Sequence, residues 1–257
     1  MPKSSLIDAH CHLDFINFDT DRAEVLKRAK QNSISDIIIP GVSVNNWEKI
    51  TSLCEQNKKL HPCYGLHPYW VNQHNDRDLT KLEQLIKQNP CIAIGECGLD
   101  YRPEQADKKN QQYFFEAQLD IAEKNELPVV IHSVRATEDV IQQLRNYTGL
   151  TGMIHSYSGS YEQALKLIEM GFYISFGGAI TYDRANKLRD TASKLPLTSI
   201  LIETDAPDQP DSAHQNERNE PAYLVEVFNT LCKLRQETKT DIAKQTTENT
   251  KKLFNLS

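Results

Sequence analysis

The sequence predicts an α/β protein with a single domain, a (β/α)8 TIM barrel that spans residues 1–257. Three observations predict this fold. Short apolar runs alternate with segments of helical period, eight such runs occur in 257 residues, and no linker rich in glycine, serine or proline divides the chain. Alternating strands and helices imply parallel strands joined by right-handed crossovers, and eight such units in about 250 residues is the size of a TIM barrel.

The eight predicted strands are short apolar runs, many of them β-branched. They lie at residues 6–12, 37–41, 62–67, 91–98, 128–132, 152–157, 172–177 and 200–204. Between them, apolar residues recur at helical spacing within residues 23–29, 47–54, 79–86, 115–122, 140–144, 161–168 and 188–195. The turn-rich segment 206–221 follows the eighth strand and is predicted to be a loop on the active face.

Capping residues mark several predicted helix ends. Asp19 or Thr20 is predicted to open the first helix and Asp78 the third, because short polar side chains accept hydrogen bonds from free backbone N–H groups there. Ser160 is predicted to open the sixth helix and Gly171 to end it.

An open doubly wound sheet is the alternative architecture. Neither G-x-G-x-x-G nor G-x-x-x-x-G-K-[ST] follows any of the apolar runs. The loops that usually cradle nucleotide phosphates are therefore missing. Their absence favours the barrel and predicts a protein without a nucleotide cofactor.

Composition and charge restrict the classes of function. No apolar stretch approaches the roughly 18 residues that a membrane helix needs, and the first residues do not resemble a signal peptide. Six cysteines without a C-x-x-C pair suit reduced thiols. We therefore expect a cytoplasmic protein with no membrane partner. With 35 acidic and 29 basic residues, the net charge of −6 means that a nucleic acid would have to be held locally.

Two histidines close the first predicted strand. Period two places Asp8, His10 and His12 on one strand face, and two imidazoles two residues apart can chelate one cation. A pair of structural core histidines is the alternative. Neighbouring unpaired imidazoles in a barrel interior need a shared partner, however, because burying an unpaired polar group is costly. This favours a metal site.

Four further strands end in ionisable side chains. Any single one of them could belong to a structural ion pair, and Glu203 in particular is expected only to orient a neighbour or pair with a base. Together with His10 and His12 of the first strand, they supply four histidines and at least two carboxylates to one end of the barrel, which is the ligand inventory of a metal centre. The candidates are His10, His12, Glu96, His132, His155, Glu203 and Asp205.

These residues lie in five of seven short motifs: DAHCHL at 8–13, YGLHP at 64–68, IGECGLDY at 94–101, PVVIHS at 128–133, HSYSG at 155–159, ETDAP at 203–207 and RNEPA at 218–222. In these motifs the chain resembles the TatD-type metal-dependent deoxyribonucleases, a branch of the TIM-barrel metal-dependent hydrolases. The motifs run in family order and cover essentially the whole predicted barrel.

The resemblance implies a cofactor of two divalent metal ions and DNA as the substrate. His10 and His12 would bind one ion, with Asp205 completing its ligands. Glu96 would bridge the two ions, and His132 and His155 would bind the second. Asp8 and Glu203 would not bind the ions themselves but would help to position the ligands. Mixed imidazole and carboxylate ligands leave magnesium, manganese and zinc open.

The ligands predict a hydrolase that acts on ester bonds, because a divalent ion lowers the pKa of bound water from about 15.7 towards 7. Asp205, as general base, and Glu96 are the predicted catalytic residues. The leading function is a deoxyribonuclease that trims single-stranded or frayed DNA from an end. The alternative is hydrolysis of another ester, amide or phosphoester, in a small metabolite or an aminoacylated RNA. A binding or scaffold protein with a vestigial site is the third class.

Substrate contacts are predicted from the loops of the active face. His67 is placed to meet a phosphate or the substrate rim, aromatic rings there can stack on a base, and arginines can meet phosphates. The alternatives are a capping or packing role for His67, packing at the top of the barrel for the tyrosines and a solvated surface charge for the arginines. The predicted contacts are His67, Tyr101, Arg102, Arg135, Tyr157 and Arg218. The sequence does not predict an oligomeric state.

Overall fold

The computed structural model describes residues 5–105 and 107–256. Within these ranges, eight parallel strands form one sheet in the order β1 to β8. The strands are β1 Leu6–Asp8, β2 Ile34–Pro40, β3 Leu60–Tyr64, β4 Ala93–Asp100, β5 Val129–Val134, β6 Gly152–Ile154, β7 Phe172–Phe176 and β8 Ile200–Ile202. The predicted (β/α)8 barrel is confirmed. Six residues of the predicted domain lie outside the described ranges: residues 1–4, 106 and 257. Residues 1–4 make up most of the segment that was compared with a signal peptide.

Helices connect the strands and cover the outside of the sheet. They are α1 Arg22–Gln31, α2 Val44–Gln56, α3 Asp76–Gln88, α4 Lys108–Lys124, α5 Thr137–Leu144, α6 Tyr161–Glu169, α7 Asn186–Lys194, α8 Leu224–Leu234 and α9 Lys239–Phe254. The sequence predicts seven of these helices. It does not predict a helix after the eighth strand, where α8 and α9 lie. None of the helices in the described ranges combines the length and apolarity needed to cross a bilayer.

Side chains alternate between the two faces of the strands. One set packs beneath the helices in the larger apolar cluster. The other set fills the barrel and joins Leu253 and Phe254 of α9, so this end of the interior is apolar. The strand-borne members of this inner cluster are Ile7, Ile38, Cys63, Ala93, Val130, Met153 and Leu201.

The ring is nearly closed between β1 and β8 by backbone hydrogen bonds. The N–H of Ala9 donates to the carbonyl of Ile202 at 3.1 Å, and the N–H of Asp205 donates to the carbonyl of His10 at 2.9 Å. These bonds join the residues just after β1 to the last residue of β8 and the segment that follows it, so residues distant in sequence meet at one rim.

Several predicted strands extend too far. Those at 6–12, 62–67 and 152–157 end in the structure at Asp8, Tyr64 and Ile154. Beyond these points the regular ladder is replaced by single backbone bonds to the neighbouring strands, such as Cys11 N–H to the Ile38 carbonyl at 3.0 Å and His155 N–H to the Ile131 carbonyl at 3.0 Å.

Two of the predicted helix starts are wrong. The first helix begins after Asp21, not Asp19 or Thr20. The third is capped by Asn75, and Asp78 lies inside it, where its carboxylate accepts a hydrogen bond from the Asn75 N–H at 3.1 Å. Asp78 thus completes a capping box instead of opening the helix.

The sixth helix starts as predicted. Ser160 is its N-cap, and its hydroxyl accepts a hydrogen bond from the Gln163 N–H at 3.2 Å. Gly171 follows the end of this helix with a φ of +94°, a left-handed conformation that favours glycine.

An extra residue in β4 shapes the rim of the barrel. Ile94 pairs with Val129 and Cys97 with Ile131, so three steps along β4 match two along β5. Such a bulge changes which way a side chain points, and here it brings Glu96 into the interior. Two residues on, Gly98 pairs with His132, and a Cβ at Gly98 would lie 2.1 Å from the His132 carbonyl oxygen. Only glycine allows this approach.

Candidate metal centre

Two histidines and two carboxylates form the first half of a buried cluster. The Nε2 atoms of His10 and His12 lie 3.2 Å apart. Glu96 Oε2 is 3.1 Å from the first and 3.4 Å from the second. Asp205 Oδ1 is 3.4 and 3.5 Å from the same two nitrogens. We call these four residues the first ligand group.

The other oxygen of Glu96 meets a different set of histidines. Its Oε1 lies 2.9 Å from His132 Nδ1, 2.8 Å from His155 Nε2 and 3.0 Å from His67 Nε2. We call Glu96 with these three histidines the second ligand group. The structure therefore brings together all six predicted metal ligands and adds His67, which the sequence reading placed among the substrate contacts.

The donor set fits divalent cations. Ligand atoms held 2.0–2.2 Å from one cation lie roughly 3 to 3.5 Å from each other, and the distances within both groups fall close to this range. The Glu96 Oε2 atom is buried without a hydrogen bond, as are the Nδ1 atoms of His10 and His12. An ionised oxygen buried in this way needs a cation or proton as its partner.

Burial and neighbouring charges set the protonation of the cluster. Burial opposes ionisation of Glu96, but the imidazoles of His155, His67 and His10 hold the pKa of this carboxyl well below its usual range. Burial lowers the pKa of His67 to about 4, so its ring is neutral and can ligate at neutral pH. Burial also lowers the pKa of His12, but the negatively charged carboxylate of Glu96, 3.4 Å from its Nε2, outweighs burial and raises the pKa to about 9.

Two carboxylates contact histidines of the second ligand group at the ring nitrogens that do not face Glu96. Asp100 Oδ2 is 3.1 Å from His132 Nε2. Glu203 Oε1 is 3.4 Å from His155 Nδ1, while its Oε2 accepts a hydrogen bond from the Ser175 hydroxyl at 2.5 Å. Carboxylates in this position fix the tautomer and orientation of a ligating histidine. The sequence predicted this position for Glu203. It predicted no role for Asp100, although both residues are buried acids at strand ends.

We expect Asp100→Asn to weaken metal binding by about 10-fold to 100-fold, because the amide cannot supply the charge that orients and polarises the ring of His132. Calorimetric titration of the metal-free protein with manganese measures this change. Glu104→Gln is the matched control, since Glu104 also contacts Arg102 but is 61% exposed and away from the cluster. Unchanged affinity in the Asp100 variant would contradict the assignment.

Asp8 joins the two segments that carry the first ligand group. Its carboxylate accepts hydrogen bonds from the N–H and hydroxyl of Thr204 at 2.9 and 2.6 Å and from the His10 N–H at 3.3 Å. Burial raises the pKa of Asp8 to about 8 despite these bonds. The prediction that one strand face carries Asp8, His10 and His12 is wrong, because β1 ends at Asp8 and both histidines follow it.

A cavity of about 690 Å³ opens over the cluster. Of the predicted substrate contacts, His67, Arg102 and Tyr157 line it. The Arg102 side chain is paired with the Asp100 carboxylate at 3.0 Å. Tyr157 is 2% exposed, and its hydroxyl donates to the Ser160 carbonyl at 2.5 Å.

The structure does not bring the other three predicted contacts, Tyr101, Arg135 and Arg218, to the lining of this cavity. Arg218 donates to both carboxylate oxygens of Asp21 at 2.8 and 2.7 Å and lies over the Phe18 ring, so it ties the β8–α8 loop to the start of α1. The Tyr101 hydroxyl accepts a hydrogen bond from Gln112 at 3.0 Å. Arg135 follows the end of β5.

A buried cluster of histidines and carboxylates at the C-terminal end of a TIM barrel defines the class of metal-dependent hydrolases. Comparison with known proteins then gives the family. The sequence model described as "TatD related DNase" matches residues 7–255. The chain belongs to this family, as the motifs predicted, and is a metal-dependent hydrolase of the TatD type.

Individual relatives agree with this assignment over their whole length. The chain is 39% identical over 253 residues to the "Uncharacterized metal-dependent hydrolase YjjV" of Escherichia coli K12, covering 97% of this chain and 98% of the relative. It is 34% identical over 254 residues to YabD of Bacillus subtilis, described in the same words, covering 98% and 100%. The crystal structure of YjjV superposes with a TM-score of 0.95 and 38% identity, covering 98% of each chain.

Proposed function

We propose that this protein is a deoxyribonuclease that hydrolyses phosphodiester bonds at the end of single-stranded or frayed DNA, using two divalent ions. One observation carries the proposal. The two oxygens of Glu96 face two separate groups of histidines, which is the donor arrangement expected for a pair of ions that share one carboxylate. The description of the matched family supports DNA as the substrate.

The first ligand group would hold one ion and the second ligand group the other. Such ions supply a water of lowered pKa and stabilise negative charge on phosphoryl oxygens. Zinc, manganese and magnesium are the candidate ions, because imidazole favours zinc and carboxylate favours manganese and magnesium.

Asp205 is the residue we assign as general base. Its Oδ1 lies beside the Nε2 atoms of His10 and His12, and its other oxygen accepts a hydrogen bond from the Gln209 amide. Asp205 also lines the cavity, so its carboxylate can take a proton from water that attacks a bound substrate. Gln209 holds the carboxylate in this orientation.

The shape of the cavity supports action at a strand end. Its volume of about 690 Å³ is that of a small-ligand pocket. The metal centre lies at its base, because the ligands project from strand ends and the loops beyond them form the walls. A strand terminus can enter such a pocket, whereas the interior of a duplex would have to cross the loops.

A second candidate function is hydrolysis of a different ester or amide, in a small metabolite or an aminoacylated RNA. The charge of the cavity lining favours it. Among the lining residues that the structure describes, Arg102 is the only lysine or arginine, whereas Glu96, Asp205 and Asp208 are acidic. Arg102 is itself paired with Asp100, which leaves little positive charge for a polyanion.

Metal analysis combined with digestion of end-labelled DNA tests the proposal. Protein loaded with magnesium, manganese or zinc is incubated with single-stranded, frayed and blunt duplex DNA, and in parallel with a panel of small esters and amides. We expect stepwise shortening of the single strand and slow cleavage of the blunt duplex. Cleavage of the panel without cleavage of DNA would move the function to the second candidate, and the same DNA cleavage by Glu96→Ala protein would identify a contaminating nuclease.

A further inference from the structure

Besides the buried Tyr157, three aromatic side chains line the cavity beside the candidate metal centre without belonging to it: Phe15, Tyr69 and Trp70. We call them the aromatic wall. The Phe15 ring stacks on His12 of the first ligand group, with centroids 4.6 Å apart and an interplanar angle of 19°. The Trp70 ring lies 5.2 Å from His67 of the second ligand group. Each half of the metal centre therefore has an aromatic neighbour.

Local backbone structure fixes the aromatic wall relative to the ligands. Tyr69 and Trp70 lie in the 3-10 turn Pro68–Gln73, which His67 caps by accepting a hydrogen bond from the Tyr69 N–H at 2.9 Å. Their rings make an edge contact at 5.1 Å. Phe15 directly precedes the 3-10 turn Ile16–Phe18. The same short segments thus position both the ligands and the rings.

The aromatic wall presents ring surface to the cavity. Tyr69 is 46% exposed, and Phe15 and Trp70 are partly exposed. The guanidinium of Arg102 lies 5.5 Å from the centroid of the Tyr69 ring. This cavity therefore offers aromatic surface where a nuclease that held its substrate by charge would offer several cations.

We propose that the aromatic wall stacks against the bases of the terminal nucleotides and that stacking, rather than phosphate charge, holds the substrate. The inference rests on the proposed nuclease function and specifies its substrate as a short single strand with unpaired terminal bases. Stacking of a base on an aromatic side chain tolerates any sequence and contributes about 10-fold or more in affinity. Few phosphate contacts are needed, which agrees with the presence of Arg102 as the single lysine or arginine in the described lining.

The first test compares two tyrosines of similar exposure. Tyr69 lines the cavity and is 46% exposed, whereas Tyr113 lies on α4, does not line it and is 49% exposed. Cleavage is measured on a single strand with normal terminal bases and on one whose terminal nucleotides are abasic. We expect Tyr69→Ala to lower kcat/KM about 10-fold on the normal strand only. Tyr69→Phe should retain the rate, and Tyr113→Ala should match the wild type on both strands.

The second test uses tryptophan fluorescence and needs no metal. The chain has two tryptophans, and Trp47 is 3% exposed, so Trp47→Phe leaves Trp70 as the reporter at the cavity. We expect a tetranucleotide of thymidine to quench this emission in metal-free protein and the abasic tetranucleotide to leave it unchanged. The slope of log affinity against log salt should be about −0.7 or shallower, the value for a single phosphate contact on a single strand.

The two proposals fail in different ways. If both strands are cleaved equally well by wild type and Tyr69→Ala, and Trp70 is not quenched, the aromatic wall does not bind bases while the nuclease function stands. A steep salt slope would likewise overturn the inference. If no DNA is cleaved, the nuclease function fails, and the quenching titration alone then decides whether the aromatic wall binds bases.

Discussion

Glu96→Gln should lower turnover by at least about 10³-fold, because bound ions contribute several kcal/mol and each 1.4 kcal/mol is tenfold in rate. Glutamine keeps the size of the side chain but loses the negative charge that both ligand groups share. One substitution therefore affects both halves of the centre: Oε2 faces His10 and His12, and Oε1 faces the other three histidines.

Metal content and turnover are measured on the same preparations. We expect the Glu96 variant to lose most of its bound metal, since a neutral amide is a weak bridge between two cations. Glu220→Gln is the matched control, because Glu220 is also a buried carboxylate but pairs with Arg28 outside the cavity, at 2.6 Å. That variant should lose stability and keep its metal. Full metal loading and near-normal turnover in the Glu96 variant would refute the shared-carboxylate arrangement.

The sequence predicted part of the centre for reasons that the structure confirms. Val130 and Met153 point into the barrel, and His132 and His155 lie two residues beyond them, so strand alternation carries both histidines to the interior. For these strands, the apolar alternation and the metal-binding residue type both predict a side chain that points into the barrel.

Other ligands were predicted from ionisable residues at the ends of apolar runs, although the local structure of these segments was not predictable. Glu96 points inwards because of the bulge in β4, and no apolar pattern reveals an extra residue in one strand. His10 and His12 follow the end of β1, where period two no longer applies. In these segments the clustering of metal-binding residue types was more informative than the strand pattern.

The loop residues were the least predictable, because their partners come from distant parts of the chain. Arg218 is bonded to Asp21, 197 positions away. A cation in an active-face loop looks like a substrate contact until its acidic partner is known. His67 shows the converse, since a histidine beyond a strand end proved to lie within the ligand cluster.

Asp205→Asn should lower kcat by about 10²-fold to 10⁴-fold, the range for removal of a general base. Asparagine keeps an oxygen that can ligate but cannot take a proton from water. Because Asp205 also belongs to the first ligand group, metal content must be measured beside kcat. We expect the variant to retain metal at saturating concentration while turnover stays low.

Asp208→Asn separates the role of a base from that of cavity charge. Asp208 is a carboxylate that lines the same cavity three residues along the chain, and it is exposed, whereas Asp205 is 7% exposed. If negative charge in the cavity were all that mattered, the two variants would behave alike. We expect the Asp208 variant to turn over nearly as fast as the wild type, because its carboxylate is not part of either ligand group. An Asp205 variant that loads metal and turns over at this same rate would leave Asp205 as a ligand only, and the proton would then need another acceptor at the cavity wall.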